Sequence, residues 1–534
     1  MHRRFPPMRI RPLWLVAFVS MAVPLTFAAF TNHVWEDYLI TLRSSRNLVL
    51  GNGLVFTPGE RLHTFTSPLG VLVPAAFTWA VGAAHEATAL WLFRVLSAGL
   101  LATGMVWTWR TLRAVGVKAF GAVTAIGLIL SDPKLIDFAS NGMETGILVF
   151  LVLALWSELE RPAGTRSVAV GVYCGLLQWT RPDGFIVGLA LLVPHTIFRG
   201  NLTAGSRLPL GSALKIALVA LPLYAPWLLF ATWYYGSPIP HTIIAKSAIT
   251  PPVPWRSFLL TPWYSLTGRS SFQDLFLPTY WFYGGWPGGL RVFAWLFSTV
   301  AALVWLIPKL PAPTRRLSLA AFFGMFYVCW IILFPWYSPP WMAIAALAIG
   351  GTIDALLAWA TARQYSALVS ATRSVGAVAI AIQFSTFLAT AWEMRTQQRA
   401  VENQVRHAIG DWLHDHATSG DSVMLEPLGY IGYYSQLKTF DYPGLSSVEV
   451  TAAIKSGARR FTEVIERVNP TWIVVRPFEI ADNSKPENAI WRRYALVKTW
   501  NVHPVLDQVR FLPGRPWLDH DAEFLVFRRQ PEKK

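Results

Sequence analysis

The chain has 534 residues, 53% hydrophobic and only 14% charged, against about 25% charged in soluble domains. That balance excludes a wholly soluble protein and leaves room for a soluble domain beside a membrane part. A net charge of +16 would suit nucleic acid, but the Lys and Arg residues lie mostly in short loops between apolar runs, so no nucleic-acid partner is expected.

Arg3, Arg4, Arg9 and Arg11 precede the first apolar run, from Leu13. No small-residue cleavage site follows cleanly and many runs come after, so this segment reads as an uncleaved first helix. Runs long enough to cross a bilayer fall near 13–31, 91–109, 119–137, 143–158, 168–180, 184–198, 214–232, 290–308, 318–334, 340–360 and 374–392. The stretch 68–84 is a twelfth candidate, and the positive-inside rule decides against it. With 68–84 in the plane of the outer surface, the basic loops all share one side: the N-terminal arginines, Arg110/Arg113/Lys118, Arg161/Arg166, Arg199/Arg207/Lys215, Lys309/Arg315/Arg316 and Arg363/Arg373. The expected topology has eleven crossings, an inner N-terminus and an outer C-terminus. Cys174 and Cys329 both fall within apolar runs and give neither a disulfide framework nor zinc spacing.

Outside then lie 32–90, the turns at Ser140–Glu144 and Arg181–Gly184, the long stretch 233–289, the turn Pro335–Tyr337 and the tail. The unusual polar residues fall in these same segments. Pro251-Pro252-Val253-Pro254 marks external loop. The predicted domains are a membrane module over 1–392 and an external domain over 393–534. From Glu393 charges become frequent. An amphipathic helix at 402–416, strands at 421–425, 472–475 and 524–527 and a helix at 447–467 predict a small α/β domain.

Glu36-Asp37 is the most telling pair. Carboxylates at a membrane surface among apolar and aromatic residues are costly unless paired or used. Residues 36–50 have helical periodicity and are expected to lie along the surface. Asp37 either caps that helix, pairs with Arg43, or acts as a base. Glu144 reads as a helix cap or a ligand, and Arg181 as a turn-fixing partner of Asp183 or an anion site. Lys246 suits lipid headgroups or a phosphate. His241 reads as structural or as a hydrogen-bond donor, and Trp336 and Tyr337 as interfacial anchors or stacking groups.

Several segments together resemble a known family. They are Asp37-x-x-Ile40-x-x-Arg43, Arg46-Asn47-Leu48, Gly51-Asn52-Gly53-Leu54-Val55-Phe56, Pro58-Gly59-Glu60 and Thr66-Ser67-Pro68-Leu69. The run is similar to the first external loop of bacterial arabinofuranosyltransferases, polyprenyl-phosphate-sugar-dependent enzymes of the glycosyltransferase-C fold. Ser140–Thr145, Thr180–Gly184, Tyr235–Thr242 with Ala245-Lys246, Trp336-Tyr337, Gly429–Ser435 and Phe440–Leu445 resemble further pieces of it. The family's acidic pair often begins with Asp, where this chain has Glu36.

The resemblance implies an enzyme of the bacterial cytoplasmic membrane that works at its outer face. It would transfer a sugar, arabinofuranose first, from a polyprenyl-phosphate donor to a cell-envelope glycan, lipid or protein, inverting the anomeric centre. It implies Asp37, with Glu36, as the catalytic acids. It implies Lys246, Arg181, His241, Glu144, Arg43, Trp336 and Tyr337 around the donor's phosphate and sugar. A cofactor is not required by it, and a divalent metal on Glu36, Asp37 and Glu144 stays open. The alternatives are another sugar (mannose, glucose or aminoarabinose) on the same scaffold, a ligase moving a whole lipid-linked glycan, or a lipid-linked sugar transporter. A transporter would need a polar path through the bilayer, whereas the distinctive residues lie on one side.

Overall fold

The computed structural model describes residues 10–161, 166–198, 210–250, 253–269, 271–330, 334–481 and 489–531. Arg3, Arg4, Arg9, Arg199, Arg207, Pro251 and Pro252, read above as loop residues, lie outside these ranges.

A helix stands at each of the eleven expected runs, from Ile10–Thr31 to Ser366–Thr396. Among the described residues, six stretches are long and apolar enough to cross a membrane by length and composition: Pro12–Thr31, Glu86–Ala114, Gly211–Tyr235, Gly288–Leu306, Pro339–Ala362 and Ser366–His416. Pro68–Val81 is a helix of 14 residues, about 21 Å long against a hydrocarbon core of about 30 Å. Its length does not set it apart from Ala119–Leu130, Thr145–Leu159 and Gly184–Ile197, the similarly short apolar helices at three of the expected crossings. The expected run 119–137 is broken. It forms Ala119–Leu130 and then Pro133–Phe138, because Pro133 lacks the N–H that would continue the first helix. Asp132 caps the second, accepting from the Leu135 N–H at 2.8 Å.

Small residues let the helices approach. Gly171-Val-Tyr-Cys-Gly175 lies against Val219 and Leu223 of Leu210–Tyr235, a small-xxx-small contact suited to helices in lipid.

The tail is a five-stranded mixed sheet in the order β2-β1-β3-β5-β4. Its strands are β1 (Ser422–Leu425), β2 (Lys438–Asp441), β3 (Trp472–Val475), β4 (Tyr494–Asn501) and β5 (Glu523–Arg529). β1 runs parallel to β2 and β3, and β5 antiparallel to β3 and β4. The expected helix 447–467 is two, Val448–Lys455 and Phe461–Val468. The expected helix 402–416 is not separate. It continues the last apolar helix without interruption through Ser366–His416, with Gln397–His407 wound as a π-helix.

The tail packs on the helix Glu36–Val49, most of whose residues are buried. Arg43, buried, donates to the carbonyls of Gly432 at 2.6 Å, Gln436 at 3.1 Å and Leu437 at 3.0 Å. Its guanidinium therefore clamps the tail rather than pairing with the acids at 36–37.

Candidate active site

Asp37 sits in the first turn of Glu36–Val49, where the positive end of the helix favours a carboxylate. The helix entry is held from the side by the Trp35 N–H, which donates to the Asn141 carbonyl at 3.0 Å. That carbonyl belongs to the turn Ser140–Glu144. Gly142 in this turn has φ +104°, and a Cβ there would collide with the Tyr38 ring, so the turn needs glycine on both counts.

The two acids have different surroundings. Glu36 spends both oxygens on the tail: Oε1 accepts from the Gly429 N–H at 2.9 Å, and Oε2 pairs with Arg406 at 3.2 Å. Burial pushes its carboxyl up to about 8, with Arg406 pulling the other way. Asp37, half-buried, has neither a hydrogen bond nor an ion pair among the described residues. Burial raises its carboxyl above the ordinary range, while the charges of Lys246 and Arg181 oppose that rise.

Lys246 comes from the helix His241–Ile249. Its ammonium lies over the rings of Phe334, 4.8 Å to the centroid, and Trp336, 5.9 Å, a cation–π seat that leaves a charge open to an anion. Arg181 is buried and fixed by three groups: Asp183 at 3.2 Å, Glu144 at 3.8 Å and the Tyr337 ring at 4.1 Å. The Tyr327 hydroxyl donates to the other Asp183 oxygen. Four turns far apart in sequence thus meet at one place: Glu36-Asp37, Glu144, Arg181–Asp183 and Trp336-Tyr337.

His241 points elsewhere. Its N–H donates to the His63 carbonyl at 2.9 Å and its Nε2 lies 3.1 Å from Thr451 Oγ1 in the tail. Trp336 is buried against Trp35, 5.8 Å between centroids, and stacks on Phe334 at 4.7 Å. A divalent metal on Glu36, Asp37 and Glu144 does not fit these residues, since Glu36 and Glu144 are each turned onto an arginine. Among the described residues no group of three His, Cys, Asp or Glu side chains is placed to hold a metal ion.

Sequence reasoning missed two features. Tyr280 has a left-handed backbone, φ +53°. Its ring stacks on Trp517 at 3.8 Å and faces Trp35 at 6.1 Å, and its hydroxyl lies within reach of Asp37's charge. The second feature is the ionic cluster behind Glu36, made of Arg406, Glu402, Asp521, Arg476, Glu426 and Glu479. Burial opposes the charge of Asp521, but Arg406 and Arg476 hold its carboxyl down to about 2.

The fold is that of the glycosyltransferase-C membrane proteins. ArnT of Cupriavidus metallidurans bound to undecaprenyl phosphate superposes with a TM-score of 0.52 at 13% identity, covering 98% of this chain and 99% of that one. The oligosaccharyltransferase of Archaeoglobus fulgidus, in a complex with Zn and sulfate, gives 0.56 at 12% identity, covering 92% and 72%.

Two curated relatives, both named terminal beta-(1->2)-arabinofuranosyltransferase, are similar in sequence. The Corynebacterium glutamicum protein is 32% identical over 230 residues, 40% of this chain and 33% of its own length. The Mycobacterium tuberculosis protein is 30% identical over 255 residues, 44% and 38%. The match spans little more than a third of the relatives' length. Residues 393–527 match a family described as "Domain of unknown function (DUF8728)".

Proposed function

We propose that the chain is a membrane glycosyltransferase that moves arabinofuranose from a polyprenyl-phosphate donor to a hydroxyl of a cell-envelope glycan, lipid or protein. The observation that carries the reading is Asp37, a half-buried carboxylate with no side-chain hydrogen bond or ion pair among the described residues. It lies in the first turn of a helix whose entry is tied to the turn Ser140–Glu144, where Arg181 is held by Glu144 and Asp183. The similarity to proteins named arabinofuranosyltransferases favours the sugar. The likeness in fold to a protein bound to undecaprenyl phosphate favours the donor.

In this reading the acceptor hydroxyl attacks the anomeric carbon as Asp37 takes its proton. A new C–O bond forms on the opposite face, inverting the centre. The bond to phosphate breaks, and polyprenyl phosphate leaves with the electron pair. A carboxyl raised toward the working pH is a better base than an ordinary Asp. Lys246 would meet the departing phosphate as a point charge, and Arg181 would supply a fixed fork. Trp336, Tyr337 and Tyr280 would bound the donor. His241 and Arg43 would hold the tail to the membrane module.

With the lysine- and arginine-bearing loops inside, the site would open at the outer face of the cytoplasmic membrane, with 393–534 external. The test is transfer by detergent-purified protein from a panel of polyprenyl-phosphate sugars, with the product's anomeric configuration read by NMR. Inverted product from the arabinofuranosyl donor supports the reading. Transfer from a different sugar alone overturns the sugar assignment, and retained configuration overturns the single displacement.

A further inference from the structure

The acidic pair divides into a half-buried group whose side chain has no hydrogen bond or ion pair among the described residues, Asp37, and a group that is tied down, Glu36. Asp37 has no partner of its own among the described residues, so its position is inherited from the backbone at 36. That backbone is fixed by the tail. Glu36 takes the Gly429 N–H and the Arg406 guanidinium on its two oxygens. The fit is close: a Cβ at Gly429 would overlap the carbonyl and side chain of Glu36.

A second grip lies two residues earlier. The Val34 N–H donates to Gln398 Oε1 at 2.8 Å, and the Tyr430 hydroxyl donates to the same atom at 3.1 Å. Gln398 and Arg406 belong to the same π-wound stretch, Gln397–His407. Side chains five apart pair along it, Gln397 to Glu402 at 2.9 Å and Gln398 to Asn403 at 2.8 Å, as i→i+5 winding brings them together. Arg406 is itself locked. It bonds Glu402 at 2.9 and 3.1 Å and also Asp521, which Arg476 holds from the far side. Buried ion pairs add little to stability compared with apolar packing, so a network of this size directly behind the acid pair calls for another role.

We propose that Arg406 is a positioning residue for Asp37, acting through Glu36, so that seating of the tail helix sets the reacting acid in place. This rests on the assignment of Asp37 as the base. A shift of about 1 Å at a reacting group costs about 100-fold in rate, so a loosened first turn is expressed in kcat and leaves donor binding intact.

The test uses the full chain in detergent, with Glu36→Gln, Arg406→Lys and the double variant. Glu36→Gln keeps the size and an acceptor for Gly429, and Arg406→Lys keeps the charge without the fork, so both retain the fold. Two quantities are read: kcat and KM for the arabinofuranosyl donor, and amide hydrogen exchange over residues 34–42.

Each single variant is expected to lower kcat by about 10-fold or more with donor KM unchanged. The double variant should fall no further than the worse single, because the two act as one unit. Exchange should rise over 34–42 and not in the membrane helices. Unchanged kcat and unchanged exchange overturn the proposal, as do independent, multiplying losses in the double variant. Absence of transfer by the wild type defeats the assignment of Asp37 separately. The exchange measurement then decides alone: faster exchange confined to 34–42 upholds the positioning, and unchanged exchange overturns it.

Discussion

Lys246→Met removes the ammonium from its seat over Phe334 and Trp336 while keeping an unbranched side chain that can lie on those rings. A unit charge about 4 Å from the ammonium interacts by about 4 kcal/mol at an effective dielectric near 20. The donor phosphodiester already carries one negative charge, and that part of the attraction acts on binding. The second charge develops only as the phosphate departs, and that part acts on the barrier. Arg181 remains, so the expected loss in kcat is about 2.7–4 kcal/mol, or about 10²–10³-fold, the range seen when one preorganised stabilising group is removed. Donor KM should rise as well.

A second signature follows from Asp37. Lys246 is the first cation opposing the upward pull of burial on its carboxyl. Removing it raises that carboxyl further, so the base stays protonated to higher pH. The acid limb of the kcat profile should therefore move up in pH in the variant. The assay is steady-state release of polyprenyl phosphate across pH. A variant with wild-type kcat and an unmoved acid limb would refute the role of Lys246 on both counts.

Arg181→Gln leaves Glu144 and Asp183 without the guanidinium between them. Loss of about 3–5 kcal/mol is expected for a broken buried pair, read as a fall in the detergent unfolding midpoint along with loss of transfer. Arg43→Ala strands the carbonyls of Gly432, Gln436 and Leu437. At about 1–3 kcal/mol for each group left unsatisfied, the tail should loosen, seen as protease sensitivity between 416 and 440. Gly429→Ala pushes on Glu36 and should lower kcat by about 10-fold or more, whereas alanine at the open Gly420 should change nothing.

Much of the site is legible because turn chemistry survives in one sequence. Ser140–Glu144, Thr180–Gly184 and Trp336-Tyr337 each carry glycine, proline or aromatic residues between apolar runs, and the structure brings them together at the entry of the helix that bears Asp37. The cluster behind Glu36 is not legible. Arg406 reads as one charge on an amphipathic helix face, and its partner Asp521 lies 115 residues on. No pattern of spacing links residues joined only by the sheet between them.

The sheet is half legible for a related reason. β3 is buried along its whole length and shows as an apolar run. β4 is an edge strand exposed along most of its length, so no apolar run marks it. The break at Asp132-Pro133 is hidden by apolar residues on both sides, which extend one hydropathic run across two helices.

The reading of Asp37 as the base is tested most directly by Asp37→Asn, compared with wild type for sugar transfer and for donor binding in the same detergent preparation. The substitution preserves shape and removes only the proton acceptor. The expected result is a fall in kcat of about 10²–10⁴-fold, the contribution of a positioned base, with donor affinity retained. Turnover by the variant at the wild-type rate would contradict it and remove Asp37 from the reaction.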